Sequence, residues 1–303
     1  MTSQRIIILL LSAFFLISSC DGFLDRGTSD DRFESASGEL VEEWNRLAYE
    51  STIPLDHPLY TVRGITMMHL AMHDAINAID ARYEPYAFAY KNEKAHPEAA
   101  LSSAAYQVLR KTFPDYDSLY TGLYTQTLSQ IPDGKAKKEG LELGADAAEA
   151  ILSLRGGDII HGNPISQVPE SDEPGVYQTV PPLDFLYAEG WETLKPFALQ
   201  SYDQFRNEAP PALDSEIYSA DFNLVKSIGA LESAERSADE TETVAFWYEY
   251  SEIGWNRIAR RTIDAGQQSL WDTARIYALL NVGLMDAYIA GWDGKSYFNF
   301  WRP

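Results

Sequence analysis

Apolar residues recur at steps of three and four along most of this chain, which is the spacing of one face of an α-helix. The clearest run comprises Ile65, Met68, Met72, Ile76 and Ile79. The alternation of apolar and polar residues that marks a half-buried strand is nearly absent. With 303 residues, 45% of them hydrophobic, the chain is long enough to bury a sizeable core. The sequence therefore predicts an all-α fold built as one helical bundle.

The same period predicts further helices, separated by two clear breaks. Residues 155–158 read Arg-Gly-Gly-Asp, which is typical of a helix end. Residues 163–211, which we call the strap, carry most of the prolines and seven aromatic side chains. We expect the strap to be an ordered excursion over the bundle, because those aromatics would be costly to leave in water; a linker between two domains is the alternative. The predicted helices are 97–111, 115–131, 134–154, 214–228, 237–263 and 269–291.

Acidic side chains outnumber basic ones by 45 to 24, which gives a formal net charge of −21. The field of such a chain repels polyanions, so nucleic acid is excluded as a partner. A small anionic ligand stays compatible with this charge wherever a few cations gather locally.

The first twenty residues have the features of a bacterial lipoprotein signal. Arg5 precedes the apolar run 6–17, which is too short to span a bilayer, and Ser18 and Ser19 precede Cys20, the one cysteine. We predict that residues 1–19 are a signal peptide and that Cys20 becomes the lipidated N-terminus; a plain secretory signal is the alternative. Residues 20–38 then form a flexible tether, and 39–303 the helical domain. These features predict a membrane-anchored protein of the bacterial cell envelope, on its periplasmic or surface side.

Two histidines lie four residues apart on one predicted helix, a spacing that would suit metal ligands. They are His69 and His73, followed by Asp74. Leu70 stands where a zinc-protease helix carries its catalytic glutamate, and both histidines lie within an apolar stripe. The pattern therefore favours core histidines with buried hydrogen-bond partners over a metal site.

The end of the chain carries two cations around an aromatic segment. Lys295 and Arg302 are seven residues apart and would share a face if the segment is helical, and the aromatics between them would exclude water. Pro303 disfavours α geometry at Arg302, so its guanidinium would lie at a helix end, suited to a tetrahedral oxyanion. On spacing alone, the pattern favours two surface charges that flank an aromatic seam.

The end of the chain has a lysine at 295, six intervening residues and then Arg302-Pro303. This pattern resembles the first of three motifs shared by vanadium-dependent haloperoxidases and type 2 phosphatidic acid phosphatases. The surroundings are similar to the chloroperoxidase branch, with Asp-Ala-Tyr-Ile-Ala-Gly-Trp at 286–292 and Phe298, Phe300 and Trp301 within the motif. Other passages that resemble bacterial members are 68–75, 141–158, 195–199 with 204–206, and 246–247 with 255–260. The resemblance extends over residues 40–303.

The resemblance implies a helical bundle of the vanadium haloperoxidase and acid phosphatase type that holds vanadate, with phosphate as a competing oxyanion. Lys295 and Arg302 would donate hydrogen bonds to the vanadate oxygens, and Lys295 would also polarise bound peroxide. Trp292 would line the halide side of the site. The implied reaction is the oxidation of halide by hydrogen peroxide to hypohalous acid. An acid or lipid phosphatase that hydrolyses a phosphate ester is the alternative on the same scaffold.

The sequence also departs from the family pattern. The second and third motifs, which supply the acid–base histidine and the metal-ligating histidine, do not occur in this sequence. Neither His96 nor His161 has the motif neighbours, and Glu249 lies one place before the position of a family acid, so its role stays unassigned. We expect this chain to be the N-terminal part of a longer protein and inactive by itself. A non-catalytic, lipid-anchored helical module is a third alternative.

Overall fold

The computed structural model describes residues 36–55, 57–158 and 164–302. Most of these residues are helical, which confirms the all-α prediction. A two-stranded antiparallel sheet joins β1 (Ile165–Ser166) to β2 (Leu186–Tyr187). The helices are α1 (Glu39–Thr52), α2 (Pro58–Asn77), α3 (Pro97–Thr112), α4 (Asp117–Gln130), α5 (Lys135–Leu154), α6 (Glu216–Ile228), α7 (Ala238–Trp247), α8 (Ser251–Thr262) and α9 (Leu270–Phe298). Short 3-10 turns lie at Ile53–Leu55, Pro114–Tyr116 and Trp191–Thr193.

Helix α2 forms the centre of the bundle. All of its residues except Pro58 and Tyr60 are buried, because α3, α5 and α9 pack around it. Helix α5 approaches α3 closely at Gly144, where an added Cβ would lie 2.1 Å from the carbonyl oxygen of Ala100. A helix that is apolar on all sides requires such complete cover, and α2 receives it from three neighbours.

The predicted helix over 237–263 is wrong in one respect, because the structure divides it into α7 and α8. Helix α7 begins with a capping box, in which Ser237 and Glu240 exchange side-chain and backbone hydrogen bonds. It ends at Trp247, and Tyr248 leaves the helical region with a ψ of 52°. The break falls in an aromatic run, where restricted side-chain rotamers lower the helix propensity. Glu249 turns toward α8 and pairs with Arg257.

The last helix, α9, begins where predicted but continues seven residues beyond 291. Ser269 caps its start by accepting a hydrogen bond from the backbone N–H of Asp272. It ends at Phe298, and the next residue, Asn299, adopts a left-handed conformation with a φ of 43°. Asparagine tolerates this conformation better than most residues, so it makes a natural helix end.

The strap packs against the bundle, as its aromatic content predicted. Trp191 and Phe197 are buried, whereas Tyr202 and Phe205 are exposed at 39% and 66%, contrary to expectation. The two exposed rings lie in a run of bends and turns at 199–205, which leaves their side chains in solvent.

The predicted signal peptide, Cys20 and the tether up to residue 35 lie outside the described residues. Residues 36–38, at the end of the predicted tether, are not flexible as predicted but pack against the start of α9. Ala36 is buried, and the backbone N–H of Gly38 donates to the carbonyl oxygen of Gln268. A Cβ at Gly38 would lie 2.0 Å from the hydroxyl of Thr273, so this close approach requires glycine. Within the described part of the chain, every helix is too short or too polar to cross a bilayer.

Candidate functional site

Lys295 lies in the last turn of α9, three residues after Trp292. Its ammonium nitrogen is 3.8 Å from the centroid of the Trp292 ring, which is a cation–π contact. Although the Lys295 side chain is exposed, the protein around its ammonium displaces water and lowers its pKa, and the positive charge of Arg302 lowers it further. Within residues 36–55, 57–158 and 164–302, no carboxylate pairs with Lys295 or Arg302. Two like charges thus lie near each other without neutralisation.

Arg302 reaches this position by a route that the sequence did not predict. Because α9 ends at Phe298, the segment that carries Arg302 is not helical, and the two residues are not related by a helical face. Instead, the strap holds the segment after α9. The backbone N–H of Tyr177 donates to the carbonyl oxygen of Asn299 at 2.8 Å, and the N–H of Trp301 donates to that of Gly175 at 2.8 Å. Arg302 lies outside any helix, in agreement with the expectation that Pro303 disfavours α geometry there.

Trp292 is fixed from two sides. Its indole N–H donates to the carbonyl oxygen of Tyr187 on β2 at 3.1 Å. Its ring meets the ring of Tyr288 edge-on, with centroids 5.9 Å apart. The Tyr288 hydroxyl donates in turn to the carboxylate of Glu252 on α8 at 2.6 Å, and burial raises the pKa of Glu252. Sequence reasoning missed Tyr187, Tyr288 and Glu252, because no local spacing connects β2, α8 and α9.

Two carboxylates of α9 attach the strap on either side of Trp292. Asp286 accepts the backbone N–H groups of Phe197, Ala198 and Leu199 at 2.6 to 2.9 Å.

Asp293 accepts two hydrogen bonds from the guanidinium of Arg206, at 2.6 and 2.8 Å. The carboxylate of Asp293 raises the pKa of Arg206, and the same guanidinium lies 3.8 Å from the ring centroid of Tyr297. Both ends of the turn that carries Trp292 are therefore fastened to the strap.

Arg155 connects the strap to the core at the predicted end of α5. It is 2% exposed, and its guanidinium donates to the carbonyl oxygens of Lys195 and Pro196. It also pairs with Asp158 at 2.9 Å and lies 3.9 Å from the ring centroid of Phe197. The sequence marked this position as a helix end and gave no sign of the buried arginine contacts.

The prediction that His69 and His73 are core residues is confirmed. His69 is fully buried and stacks on Tyr277, and its Nε2 lies 2.9 Å from the amide nitrogen of Asn45. Arg260 donates to the amide oxygen of Asn45, which fixes the orientation of that amide, so Nε2 of His69 is the acceptor. Burial lowers the pKa of His69 to about 3.

The other candidate ligands have structural partners. The ring of His73 lies 3.1 Å from the carbonyl oxygen of Glu84, and His57 accepts the backbone N–H of Tyr60 at the start of α2. His96 precedes the first residue of α3, and His161 lies outside the described residues. Among the residues that the structure describes, no three His, Cys, Asp or Glu side chains form a group that could hold a metal ion.

Comparison with known proteins agrees with this architecture. Over an alignment of 333 residues, the chain is 26% identical to vanadium chloroperoxidase of Curvularia inaequalis, covering 86% of this chain and 54% of that protein. The chain is therefore similar in sequence to a vanadium haloperoxidase. Its fold is similar to that in the crystal structure of a protein described as the first bacterial vanadium-dependent iodoperoxidase, with a TM-score of 0.70. The two chains are 19% identical, and the match covers 88% of this chain and 71% of that one. No family model matches the chain.

The resemblance to the vanadium haloperoxidases is thus confirmed, and their helical fold is shared. The chain spans about half the length of the curated relative that it matches. The donors of Lys295 and Arg302 fit the oxygens of an oxyanion, because both are unneutralised cations with several N–H groups. Among the described residues, no group of His, Cys, Asp or Glu side chains that could hold a metal ion accompanies these two cations.

Proposed function

We propose that this protein is a vanadate-dependent haloperoxidase, which oxidises halide with hydrogen peroxide to hypohalous acid. The observation that carries the proposal is the pair of Lys295 and Arg302, two neighbouring cations without a carboxylate partner in the described part of an acidic chain. Neighbouring cations repel each other, so this arrangement is favourable when an anion lies between them. The relation to vanadium chloroperoxidase supports vanadate as that anion.

Each residue of the proposed site has a physical task. Lys295 presents its ammonium, held over the Trp292 ring, to one oxygen of the oxyanion. Arg302 presents a planar guanidinium that can bind two oxygens at once. The Trp292 ring holds the Lys295 ammonium, and the strap holds the backbone of Trp301 just before Arg302, which limits the reorganisation that the ligand must cause. Bound vanadate would supply the activation of peroxide toward halide.

Trp292 supplies the apolar surface of the proposed site. Its half-buried ring excludes water from one side of the Lys295 ammonium, which strengthens the attraction between that ammonium and an anion. The edge of the ring carries the positive end of its quadrupole, which suits contact with a halide anion. The hydrogen bond to Tyr187 keeps the ring in this orientation.

The test uses the protein at its native length, with Lys295→Ala and the surface variant Lys138→Ala as a matched control. Vanadate binding is measured by calorimetry, bromination with a dye in the presence of peroxide and vanadate, and hydrolysis with a chromogenic phosphate ester. We expect vanadate binding and bromination in the native protein, a loss of about a hundredfold or more in kcat/KM in Lys295→Ala, and no change in Lys138→Ala.

Two results would overturn the proposal. Hydrolysis of the phosphate ester that depends on Lys295, without bromination, would assign the site to a phosphatase. Failure to bind vanadate, together with the absence of both activities, would leave a non-catalytic helical module.

We also propose that the protein is attached to the bacterial cell envelope through a lipid on Cys20. The apolar run 6–17 followed by Ser18, Ser19 and Cys20 supports this proposal. Metabolic labelling with a fatty-acid analogue tests it: we expect label in the membrane-bound native protein and none in Cys20→Ala. Equal labelling of both proteins would contradict it.

A further inference from the structure

Whereas Lys295 lies near the C-terminal end of α9, a cavity lies beside the N-terminal half of that helix. It has a volume of about 710 Å³ and lies between α2, the loop 81–86 and the first half of α9. We call it the α2–α9 groove; the residues used below are Leu70, Arg82, Tyr83, Arg275, Leu279 and Val282. Arg275 precedes Lys295 by twenty residues on one helix, which places their backbones about 30 Å apart at 1.5 Å per residue. The groove is therefore separate from the proposed oxyanion site.

Arg275 is the main charged group of the groove. Its side chain is exposed, and its guanidinium carbon lies 4.9 Å from the ring centroid of Tyr83. Within the described ranges, no carboxylate lies at ion-pair distance from it and no acceptor takes its N–H groups, and the nearby carboxylate of Asp272 offsets only part of its charge.

The ring under the Arg275 guanidinium is held in place. The hydroxyl of Tyr83 donates to the carboxylate of Asp272, and the ring of His73 stacks on the ring of Tyr83 with centroids 6.0 Å apart. A guanidinium on a fixed aromatic platform is positioned to bind an anion, because it loses less rotamer entropy on binding.

The other charges around the groove favour a ligand with one negative charge. Arg82 already pairs with Asp80 at 2.6 Å and lies 4.4 Å from the ring centroid of Trp271, so it adds only a partly neutralised cation. The exposed Glu84 also lines the groove and would repel a second negative charge on the ligand. A dianion such as a phosphate monoester is thus disfavoured relative to a carboxylate.

The walls of the groove are apolar next to Arg275. Leu279 follows Arg275 by four residues on α9, so the two side chains are neighbours on one helical face. Leu279 is 54% exposed, although it borders the buried Leu70 and Val282. A ligand that covers Leu279 would remove this apolar surface from water.

We propose that the α2–α9 groove binds a small organic monoanion in which a carboxylate is attached to an aromatic or aliphatic body. The carboxylate would accept hydrogen bonds from Arg275, and the apolar body would lie against Leu279 and Val282. This combination of a few convergent polar donors with an apolar wall is typical of small-molecule sites.

The test probe is 4-phenylbutyrate, with the neutral 4-phenylbutyramide as its matched analogue. Binding to the full chain is measured by saturation-transfer NMR titration, after circular dichroism has confirmed that each variant is folded. We expect the native chain to bind the carboxylate and Arg275→Gln to bind it about tenfold more weakly, since a charge-assisted hydrogen bond is lost. Leu279→Gln should weaken binding about threefold, because apolar contact is lost.

The control variant is Arg261→Gln, which removes an exposed arginine of α8 outside the groove. It should leave the dissociation constant within about twofold, because a distant surface charge contributes little. Absence of carboxylate binding, equal binding of the neutral amide, or equal losses in Arg275→Gln and Arg261→Gln would each overturn the proposal.

Discussion

The carbonyl oxygen of Gly175 accepts a hydrogen bond from the backbone N–H of Trp301 at 2.8 Å, one residue before Arg302. The indole N–H of Trp301 donates to the hydroxyl of Tyr218 on α6 at 3.0 Å, which fixes the same residue from its side chain. The position of the Arg302 backbone is therefore determined by the strap and by α6, and not by the helix that carries Lys295.

Substitution of Gly175 tests this relationship. Gly175 has a φ of 92°, and an added Cβ would lie 3.1 Å from Leu213, so alanine is disfavoured by both backbone and packing. We expect Gly175→Ala to lower the free energy of unfolding by about 1 to 3 kcal/mol and to weaken phosphate binding at the Arg302 site. Urea unfolding and calorimetric titration with inorganic phosphate measure the two effects.

Gly122 provides the matched control, because it lies exposed within α4 with no atom near its would-be Cβ. Gly122→Ala should raise the free energy of unfolding by about 0.5 to 1 kcal/mol through its higher helix propensity. If Gly175→Ala were as stable as Gly122→Ala, the strained backbone at Gly175 would not be the reason for glycine there.

The carboxylate of Asp286 is a second point where the strap depends on α9. Asp286→Asn replaces one acceptor oxygen by an N–H₂ group that faces backbone donors, and it removes the charge from the remaining bonds. We expect a loss of about 2 to 4 kcal/mol in the free energy of unfolding, measured with urea. Asp221→Asn, at an exposed position on α6, should change it by no more than about 0.5 kcal/mol. Equal stability of the two variants would show that Asp286 does not cap the strap.

Arg155 tests whether the strap needs a guanidinium and not merely a positive charge. Lysine at 155 cannot reach the carbonyl oxygens of Lys195 and Pro196 while also pairing with Asp158. We expect Arg155→Lys to lower the free energy of unfolding by about 3 kcal/mol, because buried acceptors lose their donors. Thermal and urea unfolding measure the change.

Arg110→Lys is the control for this substitution. Arg110 lies at the surface, with its guanidinium carbon 5.2 Å from the ring centroid of Tyr106, so its replacement should cost less than about 1 kcal/mol. A comparable loss of unfolding free energy in both variants would show that the buried guanidinium of Arg155 is not required for stability.

Local signals explain which parts of this fold could be predicted from sequence. The helices α3 to α5 lie close to their predicted bounds, because an apolar face, the proline at the first turn of α3 and the glycines after α5 are local features. The contact between Lys295 and Trp292 could also be predicted from sequence, since residues three apart on a helix are neighbours on its surface. The burial of His69 and His73 followed from the stripe around them.

Long-range contacts explain what the sequence did not predict. The extension of α9 to Phe298 accompanies the bonds of Asp293 and Trp292 to the strap, which is about a hundred residues earlier in the chain. The path of Arg302 depends on Gly175 for the same reason. The division between α7 and α8 coincides with the ion pair of Glu249 and Arg257. The spacing of apolar residues contains no information about such a pair.

The buried His69 should make the protein less stable in acid. Its pKa is about 3 in the folded protein and 6.5 in the unfolded chain, so below pH 6.5 the unfolded chain binds a proton that the folded protein excludes. Stability is therefore lost as the pH falls through this window, by up to about 1.4 kcal/mol per pH unit. In His69→Gln this contribution should vanish, so the difference in free energy of unfolding between native protein and variant should shrink from pH 7 to pH 4. Parallel pH profiles would contradict the assignment.

The charge of Arg302 should be measurable at Lys295. Desolvation and the neighbouring guanidinium both lower the pKa of Lys295, so Arg302→Gln should raise that pKa, whereas the distant Arg261→Gln should leave it unchanged. NMR titration of ¹³C-dimethylated lysines measures the shift directly. Because only the ammonium form attracts an oxyanion, phosphate affinity in the native protein should fall as the pH rises through the pKa of Lys295. In Arg302→Gln the remaining affinity should persist to higher pH, and an unmoved Lys295 pKa would show that the two cations do not form one site.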